Sequence, residues 1–522
     1  MVKTEETLKS ISNKVTKIVM VFPNPIATIP SGFMYAAKRF RKNGFEVKIL
    51  INSFLDFKTM DEYYEEICQE NPDIVGFSFA TLNLLEIYRL QKMLNKAGFV
   101  VISGGPHPTI CPDEVLKNGA HFVVIGEGEI AIDGFCNWFI GGKINEAKKS
   151  ISSVSFIENG EIVRNNASSR IKDLDSVGDL DVEGLDLTAF TLIDGSVKGL
   201  NHILGGRGCP FNCSFCSHNA WMKYNCRSVD AMIDDMVERR HKYNIKSFWI
   251  SDETFSVQKE RAVEFCERMI KEKFDFTWMA QTRVSCTDEK LLQLLKRAGC
   301  SQINVGIESA DGYTLKKINK GHTVEQINNF VSTAAKYGLQ LYVNMMTGFP
   351  WQTVDSVRND IKFIREMGKY ISCFTLHGSV IPYPDTHIYT EYSKKYSITE
   401  FWLMPKYQNA GLCIYQNVPN PYAVSTFWQR NLYDDTYVCE EYFFKFTQEY
   451  KRWVAYMGAL TGYHSVVAAS NISWKAYLRY IIGVSSRLLY EMSPTIEKRI
   501  VGKVPIKNAL HEKRATGIFL KH

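Results

Sequence analysis

Short apolar runs alternate with amphipathic stretches in the N-terminal part of the chain. The apolar runs are Val15–Phe22, Phe45–Ile51, Ile74–Ser78, Phe99–Ser103 and Phe122–Ile125. They contain few polar residues, as strands that are buried on both faces do. The stretches between them have helical spacing of apolar positions, and one of these stretches ends at Gly44. This alternation predicts a doubly wound parallel sheet in residues 1–150.

A second alternation runs through the middle of the chain. Its apolar runs are His202–Gly206, Ser247–Ser251, Phe276–Ala280, Gln302–Gly306, Leu341–Met346 and Cys373–Ile381. Stretches with helical periodicity separate them, for example Val229–Tyr243 and Val324–Tyr337. A closed barrel of this type has eight strands, so the pattern predicts a partial βα-barrel in residues 199–390.

Two segments do not follow either alternation. Residues 151–198 are predicted to be a linker, which contains a hairpin at Val154–Val163 around the turn pair Asn159-Gly160. Residues 391–522 are predicted to form a helical C-terminal region related to substrate. Apolar positions between Trp474 and Met492 repeat with helical spacing, and we expect this helix to dock on the barrel. Peripheral contact with a membrane is the alternative. The predicted fold class is therefore α/β, with a doubly wound parallel sheet, a partial βα-barrel and a helical C-terminal region.

The composition indicates a reduced protein of several domains. Of the 522 residues, 45% are hydrophobic and 23% are charged, and the net charge is +6. These ordinary values exclude a disordered or fibrous chain, and the small basic excess does not indicate a nucleic-acid partner. Thirteen cysteines are too sparse for a disulfide scaffold. The first residues lack an apolar signal region, and no run of ~20 apolar residues occurs. We therefore expect a cytoplasmic protein without a transmembrane segment.

Three cysteines follow the first strand of the second alternation. The segment reads GRGCPFNCSFC, which places Cys209, Cys213 and Cys216 in CxxxCxxC spacing. In a reduced compartment, this spacing suits a metal or a cluster better than disulfides. Zinc is the alternative, and it needs a fourth ligand, for which His218 and Cys226 lie nearby. Three thiolates leave one iron of a 4Fe–4S cluster open to an outside ligand.

The cysteine segment resembles the signature of the radical S-adenosylmethionine (SAM) superfamily. In that signature an aromatic residue, here Phe215, precedes the third cysteine. The resemblance implies a 4Fe–4S cluster on the three cysteines, with SAM bound at its open iron. It also implies that SAM-binding residues lie at the carboxyl ends of the barrel strands. The matching positions are Phe215, Asp252, Glu253, Gln281, Arg283, Glu308 and Ser309.

The resemblance gives three of these positions a specific role. Asp252 with Glu253 stands where the superfamily binds the methionine amine of SAM. Arg283 could pair with the SAM carboxylate. Glu308 takes the place of the acidic residue that contacts the ribose. For Asp252 the alternative is a helix N-cap, and for Arg283 it is a structural ion pair. The segments TGFPWQT and PYPDT resemble the cobalamin-linked branch, although Asp385 stands where glycine is usual.

The N-terminal alternation resembles the cobalamin-binding domain. Ser78 follows the third strand and Gly104-Gly105 the fourth, where that domain lines the pocket for the nucleotide tail. The cobalamin-binding residues that the resemblance implies are Ser78, Ala80, Thr81, Asn83, Gly104, Gly105, His107, Pro108, Gly126 and Glu127. The Asp-x-His-x-x-Gly motif is absent, so no histidine from the first loop should lie below cobalt. His107 is the nearby candidate, and we favour the alternative that it only hydrogen-bonds the tail or the backbone.

Together these motifs identify the chain as a member of the cobalamin-dependent radical SAM superfamily. The implied cofactors are a 4Fe–4S cluster, SAM and cobalamin, and the implied partners are a small-molecule substrate and an electron donor such as flavodoxin or ferredoxin. We expect a methyltransferase that uses a 5′-deoxyadenosyl radical and methylcobalamin to methylate an unactivated carbon or phosphorus centre. One alternative is a cyclase or ring-rearranging enzyme with the same cofactors, and the other is a radical SAM enzyme whose N-terminal domain holds no cofactor.

Overall fold

A computed structural model describes most of the chain up to residue 404. The described residues are 16–26, 28–53, 58–81, 84–140, 151–165, 170–190, 197, 199–217, 223–394 and 399–404. Three sequence predictions lie outside them: the C-terminal helices, the cobalamin contact of Asn83 and the zinc alternative's His218. Among the described residues, no helix is both long and apolar enough to cross a bilayer.

The N-terminal sheet has seven strands in the order β2-β1-β3-β4-β5-β6-β7. The strands are β1 (Lys17–Ile26), β2 (Glu46–Ser53), β3 (Ile74–Ser78), β4 (Val100–Gly104), β5 (Phe122–Val124), β6 (Val154–Glu158) and β7 (Glu161–Arg164). The first five pair in parallel. The helices are α1 (Ser31–Lys42), α2 (Met60–Glu70), α3 (Leu84–Lys96), α4 (Pro106–Ile110), α5 (Pro112–Lys117) and α6 (Gly128–Ile140). This strand order is that of a doubly wound sheet and confirms the prediction.

Each face of this sheet is covered by its own helices. Alternate side chains of β1 enter different clusters: Val19 and Val21 pack with α2, α3 and α5, whereas Ile18 and Met20 pack with α1 and α6. Side chains alternate across a strand with a period of two residues, so a strand that is apolar throughout needs cover on both faces. The first cluster continues into the apolar interior of the second sheet, so the two units share one core.

The second sheet has six parallel strands in the order β15-β14-β13-β12-β11-β8. The strands are β8 (His202–Leu204), β11 (Ser247–Ser251), β12 (Thr277–Thr282), β13 (Cys300–Glu308), β14 (Gln340–Thr347) and β15 (Cys373–Ser379), with the short pair β9 (Gly206–Arg207) and β10 (Asn225–Cys226) beside them. The helices are α7 (Val229–Tyr243), α8 (Lys259–Glu272), α9 (Glu289–Arg297), α10 (Gly312–Lys317), α11 (Val324–Lys336), α12 (Val354–Met367) and α13 (His387–Tyr392). The predicted partial βα-barrel is confirmed.

Helix caps fix where several barrel helices begin. The side chains of Ser228, Asp288 and Thr323 each accept the backbone N–H three residues ahead, and Gln326 completes a capping box with Thr323. Such caps satisfy backbone donors that have no partner within the helix. Shorter helical turns of the 3₁₀ type lie at Leu174–Val177, Leu187–Phe190, Phe255–Val257, Val284–Cys286, Gly368–Tyr370 and Phe401–Leu403.

Two features of the fold were not predicted. The hairpin of the predicted linker extends the N-terminal sheet, because β6 pairs antiparallel with β5. The segment after Gly105 forms the short helices α4 and α5 rather than a simple turn. Both helices start with proline, which lacks an N–H and fits the first helical position.

Candidate active site

The cysteine loop leaves the first barrel strand at its carboxyl end. Cys213 is buried, whereas Cys209 and Cys216 are partly exposed, and none of these three described residues is in a disulfide. Two backbone hydrogen bonds hold the loop: Ser214 donates to the carbonyl of Ile318 at 3.1 Å, and Cys216 donates to that of Cys213 at 3.0 Å. Three reduced thiols are thus presented on one loop at the barrel rim.

The zinc alternative requires ligand atoms that lie close together. Zinc holds thiolate sulfurs at about 2.3 Å, so the sulfurs of one site lie close together. Within the part of the chain that the structure describes, the one group of three ligand atoms that all lie within 4.8 Å of one another is His107, Cys111 and Glu114. The three cysteine sulfurs do not form such a compact group in the described structure. The metal content of the purified protein decides between zinc and a cluster.

Arg283 lies against the cysteine loop and is 6% exposed. It donates from Nη1 to Cys213 Sγ at 3.3 Å and from Nε to Ser285 Oγ at 3.0 Å. Its Nη2 donates to the carbonyls of Asn319 and Lys320. Four of the five N–H donors of a guanidinium are thereby in use. The predicted pairing of Arg283 with the SAM carboxylate stays a prediction, and it would have to use the remaining donor or displace one of these bonds.

Glu308 ends β13 and is 6% exposed. Its φ of 68° is unusual for a residue with a side chain. Lys320 Nζ donates to Oε1 at 3.0 Å, while Oε2 is buried without a hydrogen-bond partner. A Cβ atom at Gly306 would collide with this carboxylate and with Lys320 Nζ, so glycine is needed there. A buried carboxylate oxygen without a donor is costly unless a ligand supplies one.

Two residues beside Glu308 were missed by the sequence reasoning. Lys320 pairs with Glu308 and lies 5.6 Å from the centroid of the Phe215 ring. His322 is 7% exposed, and neither of its ring nitrogens has a hydrogen-bond partner. Burial, with the charges of Lys320 and Arg283, lowers the pKa of His322 to about 3. Both residues belong to the segment Asn319–Thr323, whose only sequence signal is its polar, glycine-containing composition.

The Asp252 carboxylate lies against Gly205 and Gly206, which follow the first barrel strand. It pairs with Arg261, which also donates to the carbonyl of Gly205 at 2.8 Å. A Cβ atom at Gly205 would collide with this carboxylate. Burial raises the pKa of Asp252, although Arg261 opposes the shift. Asp252 does not cap the helical turn that follows, where Thr254 is the N-cap residue. Asp252 Oδ1 is buried without a hydrogen-bond partner, and the predicted contact with the methionine amine stays a prediction. Glu253 is only half-buried and lies next to Asp252 on the rim.

The other predicted SAM residues also have positions at this rim. Gln281 is half-buried on β12, and Phe215 packs edge-on against Phe349 with the ring centroids 6.2 Å apart. Ser309 is fully buried, and its hydroxyl donates to Asp360 at 2.8 Å. A SAM contact by Ser309 would therefore have to come from its backbone or follow a rearrangement of this hydrogen bond.

At the carboxyl edge of the N-terminal sheet, Gly105 approaches other backbone closely. Its φ is +99°, and a Cβ atom there would lie 2.9 Å from Ser78 Oγ and 3.0 Å from the backbone of Phe79. Gly105 is thus required by the protein's own packing. At Gly126, whose φ is +75°, a Cβ atom would meet nothing within 4 Å, so this glycine borders open space. Ser78 and Gly104 sit side by side in the paired strands β3 and β4.

His107 is fully buried and both of its ring nitrogens have neighbours. Nδ1 lies 3.0 Å from Thr81 Oγ1, and Nε2 lies 3.1 Å from both Tyr88 OH and Glu114 Oε1. Trp402 donates from Nε1 to the other Glu114 oxygen at 2.9 Å. Cobalt coordination by His107 would break one of these hydrogen bonds. Of the remaining predicted cobalamin residues, Pro108 is buried on α4 and Ala80 is half-buried beside Thr81.

Glu127 and Glu129 tie the N-terminal sheet to the barrel. Arg207, two residues before the first cysteine, pairs with Glu127 at 3.3 Å and with Glu129 at 2.5 Å. The side chains of all three residues are no more than 10% exposed. The Glu127 carboxylate also accepts the backbone N–H of Ile171 at 3.1 Å. The predicted cobalamin contact of Glu127 is untested, and its carboxylate is already used between the two units.

Comparisons with known proteins agree with this architecture. A model of the radical SAM superfamily matches residues 203–364, and one of the B12 binding domain matches residues 25–135. An uncharacterized methyltransferase of Pyrococcus horikoshii is 31% identical over 392 residues, which are 72% of this chain and 83% of that protein.

The chain belongs to the cobalamin-dependent radical SAM family.

More distant relatives of this family member include a cyclase and a solved structure. The anaerobic magnesium-protoporphyrin IX monomethyl ester cyclase of Rubrivivax gelatinosus is 24% identical over 381 residues, 71% of this chain and 68% of the cyclase. The structure of the radical SAM methyltransferase TsrM from Kitasatospora setae, with cobalamin and a 4Fe–4S cluster bound, has a TM-score of 0.59 at 18% identity. The superposition covers 74% of this chain and 79% of the TsrM chain. At this identity the likeness concerns the fold.

The described residues of this radical SAM enzyme fit the family's cofactors, which are a 4Fe–4S cluster, SAM and cobalamin. Three reduced thiols lie on the rim loop, and Glu308 and His322 bury polar atoms that lack partners next to it. Open space borders Gly126 at the edge of the other sheet. Each group thus has a matching feature: thiols for the cluster, unpaired polar atoms for SAM and an accessible glycine edge for cobalamin.

Proposed function

We propose that this enzyme is a methyltransferase that acts on an unactivated carbon or phosphorus centre of a small molecule. The observation that carries the proposal is the clamp of Arg207 with Glu127 and Glu129, because it joins the start of the cysteine loop to the carboxyl edge of the cobalamin-type sheet. A substrate held between these edges would face both cofactors. When bound, the cluster with SAM supplies a hydrogen-abstracting 5′-deoxyadenosyl radical, and methylcobalamin supplies the methyl group.

The chain's own residues would bind and orient these groups. Cys209, Cys213 and Cys216 hold the cluster, and Glu308 accepts hydrogen bonds from the ribose hydroxyls through its unpaired oxygen. Lys320 keeps the Glu308 carboxylate in place. Phe215 on the cysteine loop packs against Phe349 at the rim, and these apolar rings exclude water from the loop.

Labelled SAM tests methylation directly. Protein reconstituted anaerobically with iron, sulfide and cobalamin is incubated with reductant, a pool of small metabolites and SAM that carries a deuterated methyl group. Formation of 5′-deoxyadenosine together with a CD₃-labelled product supports the proposal. Formation of 5′-deoxyadenosine with an altered but unlabelled product would instead support the second candidate, a cyclase, which the 24% identical cyclase relative favours.

The cluster has its own test. Replacement of Cys209, Cys213 and Cys216 by Ala should abolish both the iron–sulfur absorption and SAM cleavage, because no thiolate then remains on the loop. Replacement of Cys226, the nearby fourth cysteine, serves as the control and should leave both intact. Stoichiometric zinc without iron in freshly purified anaerobic wild type would contradict the cluster assignment.

Cobalamin should bind with its own base displaced into the sheet and without a protein imidazole below cobalt. In the cobalt(II) form, electron paramagnetic resonance should show no nitrogen superhyperfine splitting. A splitting that disappears in His107→Ala would make His107 the ligand and overturn this part of the proposal. Protein that takes up no cobalamin would favour the alternative of a radical SAM enzyme with a cofactor-free N-terminal domain.

We also propose that the enzyme works in the cytoplasm with flavodoxin or ferredoxin as its electron donor. Support comes from the cysteines: each of the ten whose side chains the structure describes is outside a disulfide, which suits a reduced compartment. Reduction of the cluster by purified flavodoxin or ferredoxin, followed spectroscopically, tests the donor.

A further inference from the structure

Arg283 is a buried cation that faces the sulfur of a cysteine rather than a carboxylate. Its Nη1 lies 3.3 Å from Cys213 Sγ, and its guanidinium carbon lies 4.1 Å from the centroid of the Phe211 ring. Phe211 belongs to the loop between Cys209 and Cys213. The guanidinium of Arg283 therefore contacts the cluster-binding loop at two residues, Cys213 and Phe211.

Three further contacts fix the guanidinium in this place. Its Nε donates to Ser285 Oγ at 3.0 Å, and its Nη2 donates to the carbonyls of Asn319 and Lys320. All of these partners are neutral oxygen atoms. In the described residues no carboxylate pairs with Arg283, although the side chain is only 6% exposed.

A buried charge without a counter-ion is costly, so the negative charge that compensates Arg283 has to come from elsewhere. Thiolates that ligate a cluster carry such charge, and the cysteine nearest to Arg283 is one of the three. Hydrogen bonds to the sulfurs and the net charge around a cluster set its reduction potential. Reduction adds one electron to the cluster, so a fixed cation next to a ligand sulfur stabilises the reduced state more than the oxidised state.

We propose that Arg283 is a positioning residue that raises the reduction potential of the cluster through its hydrogen bond to Cys213. This inference rests on the proposed cluster site but not on the reaction that follows. It gives Arg283 a role that differs from the SAM carboxylate contact implied by the sequence.

The test is a redox titration of the cluster without SAM or substrate. Wild type, Arg283→Gln and Arg283→Lys are reconstituted anaerobically, and the reduced cluster is followed by electron paramagnetic resonance. Arg283→Gln should have a more negative midpoint potential, because it removes the charge. A tenfold change in the ratio of reduced to oxidised cluster at a fixed potential corresponds to about 59 mV for one electron. The midpoint potential of Arg283→Lys should lie between those of wild type and Arg283→Gln, because lysine keeps a positive charge but lacks the planar guanidinium.

Arg297→Gln is the matched control. It removes the same charge from the exposed end of α9, where water and salt screen it, and it should keep the wild-type potential. A wild-type potential in Arg283→Gln would overturn the inference and leave the proposed function standing. If Arg283→Gln holds no cluster, Arg283→Lys decides: a potential equal to that of the wild type, or more positive, overturns the inference. Wild type without any iron–sulfur cluster would instead refute the cluster site itself.

Discussion

At the scale of single residues, the barrel rim contains carboxylates that the fold has buried, and Asp360 is the most enclosed of them. It is fully buried and accepts hydrogen bonds from the Ala310 backbone at 2.5 Å, from Ser309 at 2.8 Å and from Gln352 at 3.2 Å. Burial raises the pKa of Asp360 to about 8, and these hydrogen bonds oppose the shift only in part. Asp360 thus supports the segment that follows Glu308.

The raised pKa predicts a pH dependence of stability. An unfolded Asp titrates near pH ~3.9, so between about pH 4 and pH 8 the folded state binds more protons at this site than the unfolded state does. The contribution of Asp360 is complete below that window and is lost as the pH rises through it. Denaturant unfolding should show that the stability difference between wild type and Asp360→Asn shrinks or reverses from pH 5 to pH 8. A difference that is constant with pH would show that Asp360 is ionised throughout.

Glu308 gives a prediction for SAM binding. Glu308→Gln should weaken binding of SAM to the reconstituted enzyme by roughly tenfold or more, because one charge-assisted hydrogen bond contributes about 1.5–3 kcal/mol. The cluster spectrum should be unchanged. Glu289→Gln, an exposed carboxylate at the start of α9, is the control and should bind SAM as wild type does. Equal affinity in both variants would make Glu308 purely structural.

Sequence alone finds some of these residues and not others for a physical reason. The three cysteines share one short loop, so their spacing is visible along the chain. Lys320 reaches Glu308 from 12 residues away, and Ser309 meets Asp360 across 51 residues. Such partners are brought together only by the packing of strands and helices. The surroundings that engage Arg283 and Asp252 could not be predicted for the same reason.

At the scale of elements, prediction succeeded where a short apolar run fixes a strand. The bounds of the strands Ile74–Ser78 and Ser247–Ser251 are those predicted, and so are those of the helix Val229–Tyr243. The sequence pattern did not predict α4 and α5, since prolines and paired glycines are also typical of turns. These two short helices carry His107 and Glu114, and through Glu114 they contact Trp402 at the end of the described chain.

Trp402→Phe should therefore destabilise the protein. It leaves one oxygen of Glu114, whose side chain is 15% exposed, without its donor at 2.9 Å. Loss of one partner from a largely buried group costs about 1–3 kcal/mol of unfolding free energy. Trp351→Phe is the matched control, because Trp351 Nε1 is buried without a hydrogen-bond partner. This substitution breaks no hydrogen bond, so it should lower the free energy of unfolding much less. Equal effects of the two variants in denaturant unfolding would show that the Trp402 hydrogen bond contributes nothing measurable.

At the scale of the whole molecule, the two sheets are joined at their carboxyl edges. Arg207 reaches Glu127 across 80 residues of sequence and Glu129 across 78. The local patterns that predict each sheet contain no information about which edge meets which, so this arrangement could not be predicted from the sequence. It matters for the proposed function because the transferred methyl group and the substrate would meet between the two cofactor sites.

The last prediction concerns this clamp. Arg207→Gln leaves Glu127 and Glu129 buried without their cation, and breaking a buried ion pair by removal of one partner costs about 3–5 kcal/mol. Arg164→Gln breaks an ion pair with Asp113 in which the arginine side chain is 61% exposed, and it should cost at most about 1 kcal/mol. In Arg207→Gln the cysteine loop also loses its fixed position relative to the cobalamin edge. The variant that remains folded at low temperature should therefore still cleave SAM, but it should form less methylated product for each 5′-deoxyadenosine than wild type and Arg164→Gln do. An unchanged product ratio, with the expected loss of stability, would mean that the clamp holds the fold together without aligning the two sites.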